Sequence, residues 1–148
     1  MRPSMLVIVT ACAAVWLAAS PQTAVAQEPI ALQSVQNGLY VRTGAGAHGF
    51  LAAVSPQVDW REKFYLTRLG GPEVALQSAH DATYVRAGVG PSAFLAAGSP
   101  RIQAWERFQL VEIGGDRVAL RSVQNGLYVR AGVGQESYLA AVSTQIAG

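Results

Sequence analysis

The chain has 148 residues, of which 51% are hydrophobic and 14% charged, and its formal net charge is +2. That length fits one domain, and the scattered arginines lack the clustered basic footprint that nucleic-acid binding needs. The two histidines and one cysteine stand in no metal-ligand spacing. We therefore expect a single domain with no nucleic-acid partner, no metal and no cofactor.

The first 26 residues have the order of a secretory signal peptide. Arg2 supplies a positive charge, residues 5–19 form an almost unbroken apolar run, and Ala24 and Ala26 are small residues at the −3 and −1 positions of a cleavage site. A transmembrane anchor is the rival interpretation, but the run is short for a bilayer. We expect cleavage after Ala26 and a secreted or periplasmic protein with no membrane span after cleavage.

The only cysteine, Cys12, lies inside this leader. Residues 9–12 formally match a bacterial lipidation box, but an apolar run follows the cysteine where a mature lipoprotein begins with polar residues. The predicted mature chain, residues 27–148, then contains no cysteine and so no disulfide, although export reaches a compartment that permits disulfides. It keeps ten basic and nine acidic residues, a net charge of +1.

Three stretches of nearly the same sequence begin at residues 30, 74 and 118, spaced 44 residues apart. They read IALQSVQNGLYVRTGAGAHGFLAAVS, VALQSAHDATYVRAGVGPSAFLAAGS and VALRSVQNGLYVRAGVGQESYLAAVS. A fixed period of this length indicates one supersecondary unit used three times. We therefore divide the domain of residues 27–148 into repeats 30–73, 74–117 and 118–148.

Each repeat opens with two predicted strands joined by a turn. The first strand of the first repeat is residues 30–34, in which Ile30 and Leu32 share one face. Asn-Gly follows at residues 37–38 and 125–126, and this pair between apolar alternating runs is a strong hairpin signal. The middle repeat has His-Asp-Ala at residues 80–82, so we predict a different turn type there because alanine disfavours positive φ.

The remaining strands carry recurring apolar residues. The second strand should point its valines inward and leave its tyrosines half-exposed; the valines are Val41, Val85 and Val129, and the tyrosines are Tyr40, Tyr84 and Tyr128. The third strand should bury its leucines, which are Leu51, Leu95 and Leu139. A fourth strand occurs only twice, at residues 62–66 and 106–110. Many short strands at even spacing, with no helical period, predict an all-β fold.

The third repeat lacks its fourth strand, which leaves eleven strands where threefold symmetry calls for twelve. An unpaired edge is a liability in an all-β protein. Three outcomes stay open from the sequence: an open barrel, a strand borrowed from another copy or a partner, or a truncated reading frame. A borrowed strand would allow a homodimer through the incomplete third repeat.

The repeats resemble the fascin-like β-trefoil family over residues 30–143. Three motifs carry the resemblance: Leu-x-Ser-x-x-Asn-Gly-x-Tyr-Val at residues 32–41 and 120–129, a Leu-Ala-Ala third strand, and Trp-Glu-x-Phe-x-Leu at residues 105–110. The resemblance implies a β-trefoil, which is a six-stranded barrel capped by three hairpins. It also implies either actin cross-linking, as in the best-known members, or accessory binding domains, as in exported bacterial relatives that often accompany carbohydrate-active enzymes.

This sequence departs from the family pattern in ways that favour the second role. Trp60 lies one residue early, because Arg61 occupies the position that matches Trp105. The last strand is absent, and a single exported trefoil is a poor actin bundler, since bundling in the family relies on several trefoils in tandem. We predict that Trp105 is a core residue, and that Trp60 is either a displaced core residue or an exposed aromatic on which a sugar ring stacks.

Symmetry predicts further ligand contacts from one tyrosine and the nearby turn side chains of each repeat, because amides and carboxylates suit sugar hydroxyls. The alternative is that the tyrosines pack in the hairpins and the asparagines only make the turns. The candidate ligand-binding residues are Trp60, Tyr40, Tyr84, Tyr128, Asn37, Asp81 and Asn125.

The sequence offers little for catalysis. Residues 44–49 match the dinucleotide fingerprint G-x-G-x-x-G, but a predicted strand follows in place of the required helix. No G-x-S-x-G elbow occurs, and Glu62 and Glu106 belong to different repeats, too far apart for a glycosidase pair. We expect a non-catalytic exported module that binds glycans. A protein-binding or structural module of the fascin-like type is the alternative, and a protease inhibitor ranks last because every loop is short.

Overall fold

The computed structural model describes residues 6–10, 28–46, 48–134 and 136–146, of which residues 6–10 are described by their backbone. The predicted cleavage site and Cys12 lie outside these residues. Twelve strands are described: β1 (Leu6–Thr10), β2 (Ile30–Ser34), β3 (Tyr40–Ala45), β4 (Phe50–Ser55), β5 (Phe64–Gly70), β6 (Glu73–Ser78), β7 (Tyr84–Val89), β8 (Phe94–Ser99), β9 (Phe108–Gly114), β10 (Arg117–Ser122), β11 (Tyr128–Val133) and β12 (Tyr138–Ser143). Two single turns of 3₁₀ helix, Trp60–Glu62 and Ala104–Glu106, precede β5 and β9. Within the described ranges, no helix has the length and apolar character needed to cross a membrane.

Six of the strands close a ring. Following the hydrogen-bonded pairs gives the order β1, β2, β5, β6, β9, β10 and back to β1, and every pairing is antiparallel. Closure leaves no open edge within this ring, which removes the usual hazard of all-β proteins. The all-β class predicted from the sequence is therefore confirmed.

The other six strands form three hairpins, β3–β4, β7–β8 and β11–β12. Their second strands pair with one another, β4 with β8, β8 with β12 and β12 with β4. Three aromatic rings meet where these strands begin, with centroids 4.9 to 5.0 Å apart; they belong to Phe50, Phe94 and Tyr138. Tilted and edge-on contacts at this spacing are favourable for aromatic rings, so the triad closes one end of the assembly.

The core is built from the recurring apolar residues. All three predicted leucines of the third strands are fully buried, and the three valines of the second strands are buried to within 4%; the residues are Leu51, Leu95, Leu139, Val41, Val85 and Val129. Phe64 and Phe108, which begin β5 and β9, are the largest fully buried side chains among the residues that the structure describes. The predicted inward faces are therefore confirmed, because strand alternation places every second residue on one side.

The fourth strands begin two residues later than the sequence predicts, at Phe64 and Phe108. The 3₁₀ turns occupy the preceding residues, and each turn is held by a hydrogen-bonded glutamate. The pattern of apolar residues in the sequence does not indicate these hydrogen bonds.

The turn in the middle repeat was predicted wrongly. Ala82 has φ +64°, close to the +73° of Gly38 and the +72° of Gly126. Its N–H donates to the Ser78 carbonyl at 2.8 Å, as the N–H of Gly38 donates to Ser34 at 2.8 Å. The same turn therefore forms in all three repeats, because its hydrogen bonds and the closing strands outweigh the preference of alanine for negative φ.

The expectation of an unpaired edge was also wrong for the chain as described. Leu6–Thr10, part of the predicted leader, pairs along its whole length with β2 and through Leu6 and Val7 with β10. It lies where a fourth strand of the third repeat would lie. None of the three outcomes considered from the sequence included a strand from the N-terminus of the same chain.

Candidate functional site

A shallow depression of about 380 Å³ lies beside the first 3₁₀ turn. It is bordered by β3, by the turn itself and by the loop between β6 and β7. The lining residues are Arg42, Asp59, Trp60, Arg61, Glu62 and His80. Residues from two consecutive repeats therefore meet in one surface feature.

Trp60 is the exposed aromatic residue that lines this depression. Its side chain is 58% exposed, the highest value among the large hydrophobic residues that the structure describes. The Asp59 carboxylate accepts a hydrogen bond from the Trp60 N–H at 3.0 Å, and the Glu62 carboxylate accepts one from the Asp59 N–H at 2.8 Å. These reciprocal caps hold the turn, since they satisfy N–H groups that a helix start leaves free.

Glu62 is buried, with 5% of its surface exposed. Its second carboxylate oxygen accepts a hydrogen bond from the Ser55 hydroxyl at 2.7 Å. A buried carboxylate needs such donors, because burial without them is costly. Both carboxylates of the depression are thus engaged in holding the 3₁₀ turn in place.

Two cations line the depression, Arg42 and Arg61, and a third, Lys63, lies beside it over the Trp60 ring. Lys63 Nζ lies 4.8 Å from the centroid of the Trp60 ring, within range of a cation–π interaction. Arg42 donates through Nε to the Thr43 carbonyl at 3.3 Å. Within the described part of the chain, Arg42, Arg61 and Lys63 form no ion pair. The surface around Trp60 therefore presents positive charge that the fold leaves available.

The second repeat presents a different surface at the same place. Ala104 stands where Trp60 stands, and Trp105 stands where Arg61 stands. Trp105 is partly buried against the core and lies over Gly88, where an added Cβ would come within 2.6 Å of the ring. Trp105, predicted to be a core residue, therefore packs against the core but is only partly buried, and of the two interpretations of Trp60 the structure supports the exposed aromatic.

The side chains of the two turn asparagines form hydrogen bonds with the backbone. Asn37 accepts from the Leu39 N–H at 2.9 Å and donates to the Ala53 carbonyl at 3.1 Å. Asn125 makes the equivalent bonds to Leu127 and Ala141, at 2.9 and 3.2 Å. Each side chain therefore ties its turn to the neighbouring third strand.

Asp81 holds the middle turn. Its carboxylate accepts hydrogen bonds from the Thr83 hydroxyl at 2.7 Å and from the Thr83 N–H at 3.1 Å. Burial acts to raise the pKa of the Asp81 carboxyl, but the Thr83 bonds, the charge of His80 and a bond from Ser78 together lower it below its usual value. Asp81 follows His80, which lines the Trp60 depression.

The candidate tyrosines are half-buried, as predicted. Tyr40 lies opposite Gln33 and Tyr84 opposite Gln77, while the Arg121 guanidinium lies 5.7 Å from the Tyr128 ring. They belong to three separate hairpins. The structure thus distributes the seven predicted site residues around the molecule, and of these only Trp60 lines the depression.

A second depression, of about 500 Å³, lies beside β7 and β8. It is larger, but small residues form most of its walls, and its polar side chains are His48, Arg86 and Ser99. None of the described residues that line it is a tryptophan or a tyrosine. Aromatic stacking therefore favours the Trp60 depression.

Sequence reasoning missed the role of Glu62 and Glu106, which it weighed only as a catalytic pair. Glu106 accepts from the Ser99 hydroxyl at 2.7 Å and from the Gln103 N–H at 2.9 Å, as Glu62 does from its counterparts. A signal was available: an acid or amide three residues before glutamate, at residues 59–62 and 103–106, is a variant of the capping-box pattern.

Among the described residues, no group of three or more acidic, histidine or cysteine side chains could hold a metal ion.

Comparisons with known proteins bear on the fold. No family model matches the chain, and no curated protein matches it. The chain is similar to an SDF2-like protein. That protein, from Arabidopsis thaliana, has a crystal structure that superposes with a TM-score of 0.60 at 8% sequence identity. The match covers 99% of this chain and 93% of the other. At this identity the likeness concerns the fold alone, which is of the β-trefoil type.

Proposed function

We propose that this chain is a β-trefoil built from three repeats with a period of 44 residues, the third of which lacks its last strand, and that it is an exported, non-catalytic module that binds glycans at the Trp60 depression. The period of the sequence, the six-stranded ring and the three mutually paired hairpins support the architecture. The sequence of the first 26 residues supports export, with cleavage after Ala26.

The exposed ring of Trp60 is the observation that carries the glycan proposal. A flat aromatic ring offers its face to the C–H groups of a sugar, while nearby polar groups bond the hydroxyls. Lys63 covers part of the Trp60 ring from one side, so the sugar stacks on the opposite side. The two caps also fix the backbone of the turn that bears Trp60, which lowers the part of the entropy cost of binding that comes from ordering the backbone.

The charges of the depression select the class of glycan. Arg42 and Arg61 line the depression and Lys63 lies over the Trp60 ring, all without an ion pair in the described residues, whereas Asp59 and Glu62 accept hydrogen bonds within the turn. Guanidinium groups bind carboxylates and sulfates through paired hydrogen bonds. We therefore propose an acidic glycan, containing uronic acid or sulfate, over a neutral one.

A glycan array probed with the full chain tests this proposal. We expect binding to acidic glycans, weakened about tenfold or more by Trp60→Ala through loss of stacking, and weakened further as salt rises. The matched control is Ile113→Ala, which removes a 40% exposed side chain from β9 outside the depression. Equal binding by the Trp60→Ala chain, with both variants folded by circular dichroism, contradicts the proposed site.

A protein-binding or structural module of the fascin-like type is the second candidate. The observation in its favour is that one strand of the ring comes from the predicted leader. Its loss would leave two strands ready to pair with another chain. No detectable binding on the glycan array, together with dimerisation measured by light scattering, would favour this candidate.

A further inference from the structure

The strand β1 lies in the same register as its counterparts in the other repeats. Leu6 lies opposite Ser34 on the following strand, and Ile8 lies opposite Leu32. The equivalent pairs in the other repeats are Phe64–Ser78 with Leu66–Leu76, and Phe108–Ser122 with Leu110–Leu120.

The pairing on the other side of β1 also matches. Leu6 lies opposite Val118, as Phe64 lies opposite Ile30 and Phe108 lies opposite Val74. The leader thus occupies a defined strand position, which we call the β2–β10 slot.

The leader matches only part of the pattern that fills the equivalent positions. Leu-x-Ile at residues 6–8 replaces Phe-x-Leu at residues 64–66 and 108–110. Two residues before those phenylalanines stand Glu62 and Glu106, both buried and bonded to a serine hydroxyl. In the leader that position is Ser4, which lies outside the described residues. The leader therefore brings apolar residues to the slot but no carboxylate.

Of three equivalent arginines, the second has a carboxylate near its Nε and the third, on β11, has none among the described residues. Arg42, Arg86 and Arg130 are equivalent residues of the three repeats. Nε of Arg42 donates to a carbonyl, and Nε of Arg86 lies 4.0 Å from the Glu106 carboxylate. Nε of Arg86 and Nε of Arg130 are both buried with no hydrogen-bond partner among the residues that the structure describes, and of the two only Arg86 has a carboxylate within 4.0 Å. A glutamate two residues before the slot strand would stand to Arg130 as Glu106 stands to Arg86 in the second repeat, although in the first repeat Glu62 and Arg42 form no ion pair among the described residues.

The predicted cleavage after Ala26 would separate β1 from the rest of the ring. Without β1, β2 and β10 would each present a row of unpaired N–H and C=O groups, and the apolar ring interior beside Leu32 and Leu120 would lose a wall. An extended peptide that adds a strand between two such edges gains main-chain hydrogen bonds on both sides.

We propose that the β2–β10 slot is an acceptor site for an extended segment of a partner protein with the sequence Glu-x-aromatic-x-Leu, and that Leu6–Thr10 is the internal strand that occupies it until the leader is removed or displaced. The aromatic and leucine side chains enter the ring interior, and the glutamate pairs with Arg130. This site is separate from the Trp60 depression and does not depend on glycan binding.

A reversible cross-link in the full chain tests whether the leader controls the slot. Val7 lies opposite Gln33, so Val7→Cys with Gln33→Cys, in a Cys12→Ser chain, should form a disulfide on oxidation. The matched control pairs Val7→Cys with Gln77→Cys, because Gln77 is the equivalent of Gln33 in the second repeat and lies opposite Tyr65. Only the first pair should cross-link.

The probe is a fluorescent peptide that copies residues 62–70, EKFYLTRLG. We expect it to bind the reduced Val7→Cys/Gln33→Cys chain and not the oxidised one, and to bind most tightly to a Val7→Pro chain, whose leader strand has lost an N–H donor. Replacing the peptide glutamate by glutamine should weaken binding about tenfold, through loss of a charge-assisted bond. That difference should vanish in an Arg130→Gln chain.

Each other result overturns the proposal. Failure of the first pair to cross-link means that the leader does not occupy the slot. Equal peptide binding to oxidised and reduced chains places the peptide elsewhere. A cross-link without peptide binding, to either the reduced chain or the folded Val7→Pro chain, makes β1 a permanent twelfth strand and the slot no acceptor.

Discussion

Ala82 tests how the repeats are built, because it adopts a positive φ at a turn position where the other two repeats have glycine. Its φ of +64° is a conformation that costs an L-residue about 1–2 kcal/mol. The equivalent turns use Gly38 and Gly126, with the same hydrogen bond back to a serine carbonyl. Replacing Ala82 by glycine should therefore relieve backbone strain while leaving the turn unchanged.

The size of the effect follows from two opposing terms. Relief of the positive φ raises the free energy of unfolding by about 1–2 kcal/mol. The extra conformational freedom of glycine in the unfolded chain lowers it by about 0.4–1 kcal/mol. We expect Ala82→Gly to raise the free energy of unfolding by about 0.5–1 kcal/mol and Tm by roughly 1–4 °C. The reverse change, Gly38→Ala, should lower it by a similar amount, because a Cβ there meets no atom within 4 Å.

Urea denaturation of the two variants and of the double variant, followed by tryptophan fluorescence, measures both terms. The changes should be opposite in sign and should add in the double variant, since the turns belong to different repeats. A loss of stability in Ala82→Gly would show that the alanine side chain contributes a contact larger than its strain. No loss in Gly38→Ala would show that positive φ is not costly in this turn.

Three further predictions concern the core, the 3₁₀ turn and the middle hairpin. Leu95→Ala should lower the free energy of unfolding by about 2–5 kcal/mol, because Leu95 is fully buried; a loss below about 1 kcal/mol in urea denaturation would contradict its place in the core. Glu62→Ala should cost about 1–3 kcal/mol in the same assay, because it leaves the Ser55 hydroxyl and the N–H of residue 59 without an acceptor; an unchanged midpoint would refute the capping role. Asp81 has a lowered pKa, so the stability it provides is present above its unfolded pKa of about 3.9 and is lost as the pH falls through the folded value. The Tm difference between the natural chain and Asp81→Asn should therefore shrink as the pH falls below about 4, and a difference that grows between about pH 4 and pH 2 would contradict this assignment.

Much of the fold follows from the sequence because its repeats restrict the solutions. Leu51, Leu95 and Leu139 occupy the same position of one unit, and alternation along a strand then fixes their common face. The turns at Gly38 and Gly126 follow from the backbone freedom of glycine. Local propensity failed at Ala82, where the hydrogen bonds of the surrounding hairpin override it.

The features that the sequence did not reveal depend on contacts between distant parts of the chain. Nothing in the composition of residues 6–10 distinguishes a barrel strand from the apolar core of a leader, and only the pairing with β2 and β10 does so. The aromatic triad likewise arises where three separate repeats converge. At the candidate site, the exposure of Trp60 was one of two open alternatives, and the occupation of Asn37 by backbone hydrogen bonds could not be read from its turn motif alone.

Hydrogen–deuterium exchange of the full chain tests most directly whether its own N-terminal strand closes the ring. Amides in a paired central strand open only with larger unfolding events. We predict that the amides of Leu6–Thr10 are protected to the same order as those at the start of β5 and β9, and that a Val7→Pro chain loses protection in β1 and in Ile30–Ser34 together. Complete exchange of residues 6–10 within the shortest labelling time, with β2 still protected, would contradict the closed ring.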